Sequence, residues 1–140
     1  MTEQPRRILL VEDDDILIDV YKHFFEKSGF SVYTANNGPD AVAYCENQEF
    51  DIVVLDIIIP GFDGFTVLRK LKENQKTANL PVMIMTNLDE DKYVARALKL
   101  GASEFLIKAN TTPQVAVNHI KTIIGKWELD TKFDYDVFVN

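Results

Sequence analysis

Short apolar runs recur along the chain, and each stops at a charged or turn-forming residue. The clearest is Ile52-Val53-Val54-Leu55, which ends on Asp56 and is followed by Pro60-Gly61. A continuous apolar run bounded by turn signals reads as a strand buried on both faces, as in a parallel sheet. Ile8-Leu9-Leu10-Val11 has the same form and breaks off into Glu12-Asp13-Asp14-Asp15. Val82 to Thr86, opened by Pro81, and Glu104 to Lys108 are two more, and Phe30 to Ala35 reads as a further strand. Counting the third from Phe50 to Asp56, the pattern predicts five strands.

Between the strands the apolar spacing turns helical. Ile16, Leu17, Val20 and Phe24 mark a first helix, stopped by Ser28-Gly29. Ala41, Val42 and Cys45 mark a second, entered through Asn36-Asn37-Gly38 with Pro39 in its first turn. A third runs from about Phe65 to Asn74, with Phe65, Leu68 and Leu71 inward, after a turn at Gly61 to Gly64. A fourth starts at Asp89 or Asp91, carries Val94, Ala97 and Leu98, and ends at Gly101. Thr112 caps a fifth, with Pro113 at its first position and Val115, Ile120, Ile123 and Ile124 as its apolar face. Strands alternating with helices predict an α/β fold with a parallel sheet. Right-handed crossovers and a sheet covered on both faces point to the doubly wound five-strand order 2-1-3-4-5.

That order makes the first and third strands neighbours, about 4.8 Å apart. Their C-terminal ends carry Glu12, Asp13 and Asp56, on the edge where open α/β sheets bind ligands. The fourth and fifth strands end on the same edge in Thr86 and Lys108. Carboxylates packed this closely repel one another, so one is protonated or a cation sits among them. An all-oxygen donor set suits Mg²⁺, which typically takes one or two carboxylates plus phosphate oxygens. Lys108 is a point charge suited to a phosphate oxygen, and Thr86 can donate a hydrogen bond to the same group. A carboxylate nucleophile in these surroundings is an acyl-phosphate site, with Asp56 attacking phosphorus. Asp14 and Asp15 read as the negatively charged start of the first helix. His23 and His119 read as helix-surface or boundary residues, not as ligands.

Composition narrows the classes. At 140 residues, 46% hydrophobic and 26% charged, the chain suits one soluble domain with a sizeable core. A net charge of −7 argues against a nucleic-acid surface. No apolar run approaches the ~20 residues of a membrane span, and Met1 to Arg7 lacks the apolar region of a signal peptide. The single cysteine, Cys45, fits a reducing cytoplasm and a small core-facing role.

The segments ILLVEDDD at Ile8 to Asp15, VVLDIIIPGFDG at Val53 to Gly64, VMIMTN at Val82 to Asn87 and GASEFLIK at Gly101 to Lys108 together carry a family likeness. The sequence resembles the receiver domain of two-component response regulators, of the chemotaxis-regulator type, over roughly Arg7 to Gly125. The resemblance implies a flavodoxin-like receiver fold, with residues 1–125 as the receiver domain and 126–140 as a C-terminal aromatic and acidic extension. It implies that Asp56 accepts a phosphoryl group from a histidine kinase or phosphotransfer protein. Glu12 and Asp13 become the acidic pair around Mg²⁺, with Asp56 and the main-chain carbonyl of Ile58 as further ligands. Thr86 and Lys108 would hold phosphate oxygens, and Phe105 matches the aromatic position whose inward swing is coupled to Thr86. Such a protein is a signalling switch rather than an enzyme, though it assists its own phosphorylation and slow dephosphorylation. No output domain follows in the sequence, so a stand-alone receiver acting on another protein is expected.

Departures from the family pattern carry their own expectations. Ala109 replaces the usual proline after the lysine, which predicts a trans Lys108–Ala109 bond and an altered loop to Thr112. Asn87 replaces the usual small residue after the threonine, and Phe105 lacks a tyrosine hydroxyl. Ile58 and Leu88 flank the path of the hydrolytic water in the family, and neither side chain can orient it, so slow phosphate loss is expected. The tail residues Trp127, Leu129, Phe133, Tyr135, Val137, Phe138 and Val139 predict a segment that packs on its own domain or on a partner's sheet edge. The alternative to a phosphorylated switch is a receiver-like scaffold that binds partners without phosphorylation. A hydrolase with an Asp nucleophile is disfavoured, because its usual second Asp is Ile58 here. A flavin protein of the same topology is disfavoured by the lack of a Ser/Thr/Gly-rich phosphate loop after the first strand.

Overall fold

A computed structural model describes residues 4–125. The strands are β1 (Arg7–Val11), β2 (Ser31–Ala35), β3 (Ile52–Leu55), β4 (Val82–Thr86) and β5 (Glu104–Ile107). They pair in parallel as one sheet of order β2-β1-β3-β4-β5. The helices are α1 (Asp15–Lys27), α2 (Gly38–Asn47), α3 (Gly64–Glu73), α4 (Asp91–Lys99) and α5 at 113–125. The predicted order and element count hold. The aromatic and acidic extension after Gly125 lies outside the described residues.

Every residue of β3 and β4 is buried, as a continuous apolar run between two helical layers requires. Alternate side chains feed two cores. Leu9, Val11, Val53, Leu55, Val82 and Ile84 pack with α2, α3 and α4. Ile8, Leu10, Ile52, Val54, Met83 and Met85 pack with α1 and α5.

Several details differ from the sequence pattern. In α1 the buried residues are Tyr21 and Phe25, with Leu17 and Phe24 half-buried, whereas Ile16 is 75% exposed and Val20 is also exposed. A helix advancing 3.6 residues per turn carries the stripe past Ile16 and Val20, and Tyr21 and Phe25 supply larger surfaces for the core. In α4 the inward side is Ala97 with Tyr93, and Leu98 is exposed. In α5 the buried face is Ala116, Val117, Ile120 and Ile124, and Val115 is exposed. The third strand, Ile52–Leu55, is shorter than predicted at both ends, although the Asp51 and Asp56 N–H groups still donate to the Arg7 and Val11 carbonyls.

The starts of α1, α2, α3 and α5 are tied down by side chains, while α4 has no side-chain cap. Asp14 accepts hydrogen bonds from the Ile16 and Leu17 N–H groups, Asn37 from Asp40, Asp63 from Thr66, and Thr112 Oγ1 from Val115.

Candidate functional site

The register brings the acids together. Val11 lies opposite Leu55, so Glu12 and Asp56 leave the sheet side by side. The Glu12 N–H donates to the Ala35 carbonyl and the Asp56 N–H to the Val11 carbonyl, each at 3.0 Å, so both backbones are still held by ladder bonds. Glu12 is 4% exposed and Asp56 5%, while Asp13 faces solvent. Carboxylate oxygens of Glu12, Asp13 and Asp56 lie within 4.8 Å of one another.

Lys108 enters from β5. Its Nζ donates to Glu12 Oε1 at 2.8 Å and Oε2 at 2.7 Å, and also to Asp56 Oδ2. Asp56 Oδ1 accepts from the Ile58 N–H at 3.1 Å. One ammonium therefore serves two buried carboxylates, with a third at their rim. Burial pushes the Glu12 pKa up from 4.5 to about 7, the Lys108 hydrogen bond opposes that rise, and Asp56 adds to it. Burial disfavours the Lys108 ammonium, yet its hydrogen bonds to Asp56 and Glu12 outweigh this and raise its pKa. The edge carries more negative charge than its one lysine balances. A cluster of carboxylate oxygens with such a charge fits a hard divalent cation, and Glu12, Asp13 and Asp56 are the side chains that could hold it.

Thr86 ends β4 on the same edge and is fully buried, with Oγ1 accepting from the Leu88 N–H at 3.5 Å. Ile58 is 59% exposed, and Leu88 is half-buried. Phe105 lies opposite Ile84, two rungs before the last β4–β5 pair, half-buried against the α2–α4 core. The strand ends thus bring Glu12, Asp13, Asp56 and Lys108 into one cluster, with Thr86 on the neighbouring strand end and Phe105 set back within the sheet. The Lys108–Ala109 bond is trans, as Ala109 in place of proline leads one to expect. The chain there forms a single 3-10 turn, Lys108–Asn110.

Some contributors escape the sequence pattern. A Cβ on Gly64 would stand 2.3 Å from the Asp56 carbonyl oxygen and 2.7 Å from Ile57 Cα. Gly64 also donates its N–H to the Ile57 carbonyl at 2.8 Å. Only glycine lets α3 begin this close to the Asp56 backbone. Asn87 Oδ1 accepts the Ala109 N–H at 3.0 Å. Both residues stand out in the sequence as departures from the family pattern, but their pairing needs the β4–β5 adjacency to be seen.

Comparison with known proteins agrees with this geometry. A family model described as the response regulator receiver domain matches residues 8–120. Response regulator PleD of Caulobacter vibrioides is 39% identical over 102 residues, which cover 73% of this chain and 22% of that protein. The chain therefore spans under a quarter of that relative's length. A CheY-like receiver domain protein from Methanospirillum hungatei superimposes with a TM-score of 0.85 at 24% identity, covering 91% of this chain and 99% of the other. The receiver domain of a sensor histidine kinase from Pseudomonas aeruginosa, solved with magnesium coordinated in its active-site cleft, gives a TM-score of 0.80 at 23% identity, covering 87% and 99%. Among the described residues no helix is long and apolar enough to cross a membrane.

Proposed function

Because the chain belongs to the response regulator receiver domain family, we propose that it works as a phosphorylation-dependent switch, with Asp56 taking a phosphoryl group from a histidine kinase or phosphotransfer protein. The observation that carries this reading is the hydrogen-bonded Asp56–Lys108–Glu12 cluster at the C-terminal edge of the sheet. An oxygen of Asp56 forms the new bond to phosphorus as the phosphorus–nitrogen bond of the donor phosphohistidine breaks. The leaving electron pair returns to the histidine nitrogen. Charge on the transferring group spreads over its oxygens. Lys108 already sits against Asp56 and needs only a small movement to meet that charge, and Thr86 at the adjacent strand end can donate its hydroxyl to another oxygen.

Glu12, Asp13, Asp56 and the main-chain carbonyl of Ile58 would hold Mg²⁺, which supplies charge neutralisation among the carboxylates and phosphate oxygens. The magnesium in the cleft of the Pseudomonas aeruginosa relative supports this choice of ion. The binding is weak and depends on Asp13 and Asp56. Beyond helping its own phosphorylation and slow dephosphorylation the chain has no enzymatic role in this reading. It passes the signal on through protein–protein contact.

Incubation with acetyl phosphate and Mg²⁺, followed by intact mass measurement, tests the proposal. The expected result is a gain of one phosphoryl group that disappears without Mg²⁺. A folded protein that gains nothing under these conditions would point instead to a scaffold that binds partners without phosphorylation.

A further inference from the structure

We infer that Asn87 is a positioning residue, whose side chain extends the β4–β5 pairing one step past the strand ends and thereby fixes Lys108 relative to Thr86. The inference rests on the phosphoacceptor reading above.

The last rung between these strands is Thr86 opposite Ile107. Beyond it the two chains part. β4 runs into the loop before α4, and β5 runs into the 3-10 turn at Lys108–Asn110. Segments leaving a sheet are where local opening is easiest. Yet these two carry the groups the site depends on, Thr86 immediately before the divergence and Lys108 immediately after it. The turn begins with orphan N–H donors, as helical turns do, and Ile107 at its cap position has no side-chain oxygen to offer them. Asn87, the residue just past β4, supplies that oxygen, accepting the Ala109 N–H at 3.0 Å in an exposed hydrogen bond. The far end of the turn is closed locally, by Thr111 Oγ1 donating to the Ile107 carbonyl at 2.8 Å and the Thr111 N–H to the Lys108 carbonyl at 3.1 Å.

The turn is thus pinned from both sides, and the Lys108 backbone starts its long side chain from a fixed point. A lysine has many rotamers, so fixing its base raises the fraction of time its ammonium spends at the reacting oxygens. The donor on Ala109 is a main-chain N–H that a proline at this position could not provide. Asn87 and Ala109 therefore act as a pair, and either loss of the Asn87 amide oxygen or proline at position 109 removes the same bond.

The pair makes separable readouts available. In Asn87→Ala the Ala109 amide should exchange its hydrogen at least about tenfold faster. The phosphorylation rate at saturating acetyl phosphate should fall about threefold to tenfold. The half-saturating acetyl phosphate concentration and the Mg²⁺ affinity by calorimetry should stay within about twofold, since Asn87 is not among the residues that would hold the cation or the phosphate oxygens. Ala109→Ser keeps the N–H and should behave as the unmodified protein. Adding Asn87→Ala to Ala109→Pro should cost nothing further, because the bond is already gone. Unmodified protein that phosphorylates normally, with Asn87→Ala equally fast or faster, overturns the inference. So does an unchanged exchange rate at Ala109. Unmodified protein that takes up no phosphoryl group at all refutes the phosphoacceptor reading itself, and the role of Asn87 falls with it.

Discussion

Asp51 and Asp56 flank the same strand, one just before β3 and one just after it. At the N-terminal end, Asp51 accepts the Arg7 N–H at 2.7 Å and pairs with the Arg6 guanidinium at 3.4 Å, with about a third of its side chain in water. The Arg7 guanidinium donates to Gln48 at 2.7 Å and lies against the rings of Tyr33 and Phe50. The acid has cationic and backbone partners there, and water screens what remains. At the C-terminal end, Asp56 and Glu12 are almost wholly buried, and share the single Lys108 ammonium. The residue type and the strand are the same. The difference lies in charge balance and in access to water. The first end is a pin that holds β1 to β3, and the second is an excess of negative charge that a divalent cation can offset.

The largest expected effect of breaking the second arrangement comes from Lys108→Ala. It removes the cationic side chain held against Asp56, and the phosphorylation rate with acetyl phosphate should fall about 100-fold. A loss of less than about threefold would mean the ammonium is only a structural partner for Glu12.

Next is Gly64→Ala, which forces a methyl group against the Asp56 carbonyl. The overpacked contact should cost about 1–3 kcal/mol in urea unfolding and slow phosphorylation as well, because the backbone carrying the nucleophile must shift. Gly29, where an added Cβ meets nothing within 4 Å, is the comparison for backbone strain alone, since its φ is +101°.

Phosphate lifetime gives a smaller effect. The Ile58→Asn, Leu88→Glu double variant places hydrogen-bonding groups at the two positions expected to line the hydrolytic water's path and should lose phosphate about tenfold faster than the unmodified protein. Equal rates would show that the apolar flanks do not set the lifetime.

The least direct effect is on stability against pH. Glu12 is held at a pKa of about 7 against its ordinary 4.5, so the folded chain keeps this proton when the unfolded chain has lost it. Its contribution is therefore greatest at or below about pH 4.5 and declines as pH rises from 4.5 through 7. Melting in a chelator should show this decline, absent in Glu12→Gln, and Mg²⁺ should lessen it by binding the deprotonated carboxylate. A decline of equal size in Glu12→Gln would assign it to other groups.

How much of this was legible in the sequence follows from which interactions are local. Uninterrupted runs such as Ile52 to Leu55 announce a doubly covered parallel sheet. The doubly wound order then puts Glu12, Asp13, Asp56, Thr86 and Lys108 on one edge without any side-chain detail. Helix faces were read less well. Ile16, Val20, Leu98 and Val115 fit an apolar stripe by spacing but are exposed, because larger or better-placed neighbours took the core positions. Contacts across the fold were not legible at all. The approach of Gly64 to the Asp56 backbone and the bond from Asn87 to Ala109 depend on where separate loops end up, and neither leaves a periodic signature.

The most direct test of the contrast between the two ends of β3 is to phosphorylate Asp51→Asn and Asp56→Asn side by side with acetyl phosphate and Mg²⁺, and to locate the modified residue by peptide mass mapping. Asp51→Asn should take up one phosphoryl group on Asp56 at nearly the unmodified rate, with a stability loss of about 1 kcal/mol. Asp56→Asn should stay folded and take up none. Phosphorylation of Asp56→Asn at the normal rate, or a phosphoryl group mapped to any other carboxylate in the unmodified protein, would contradict this contrast.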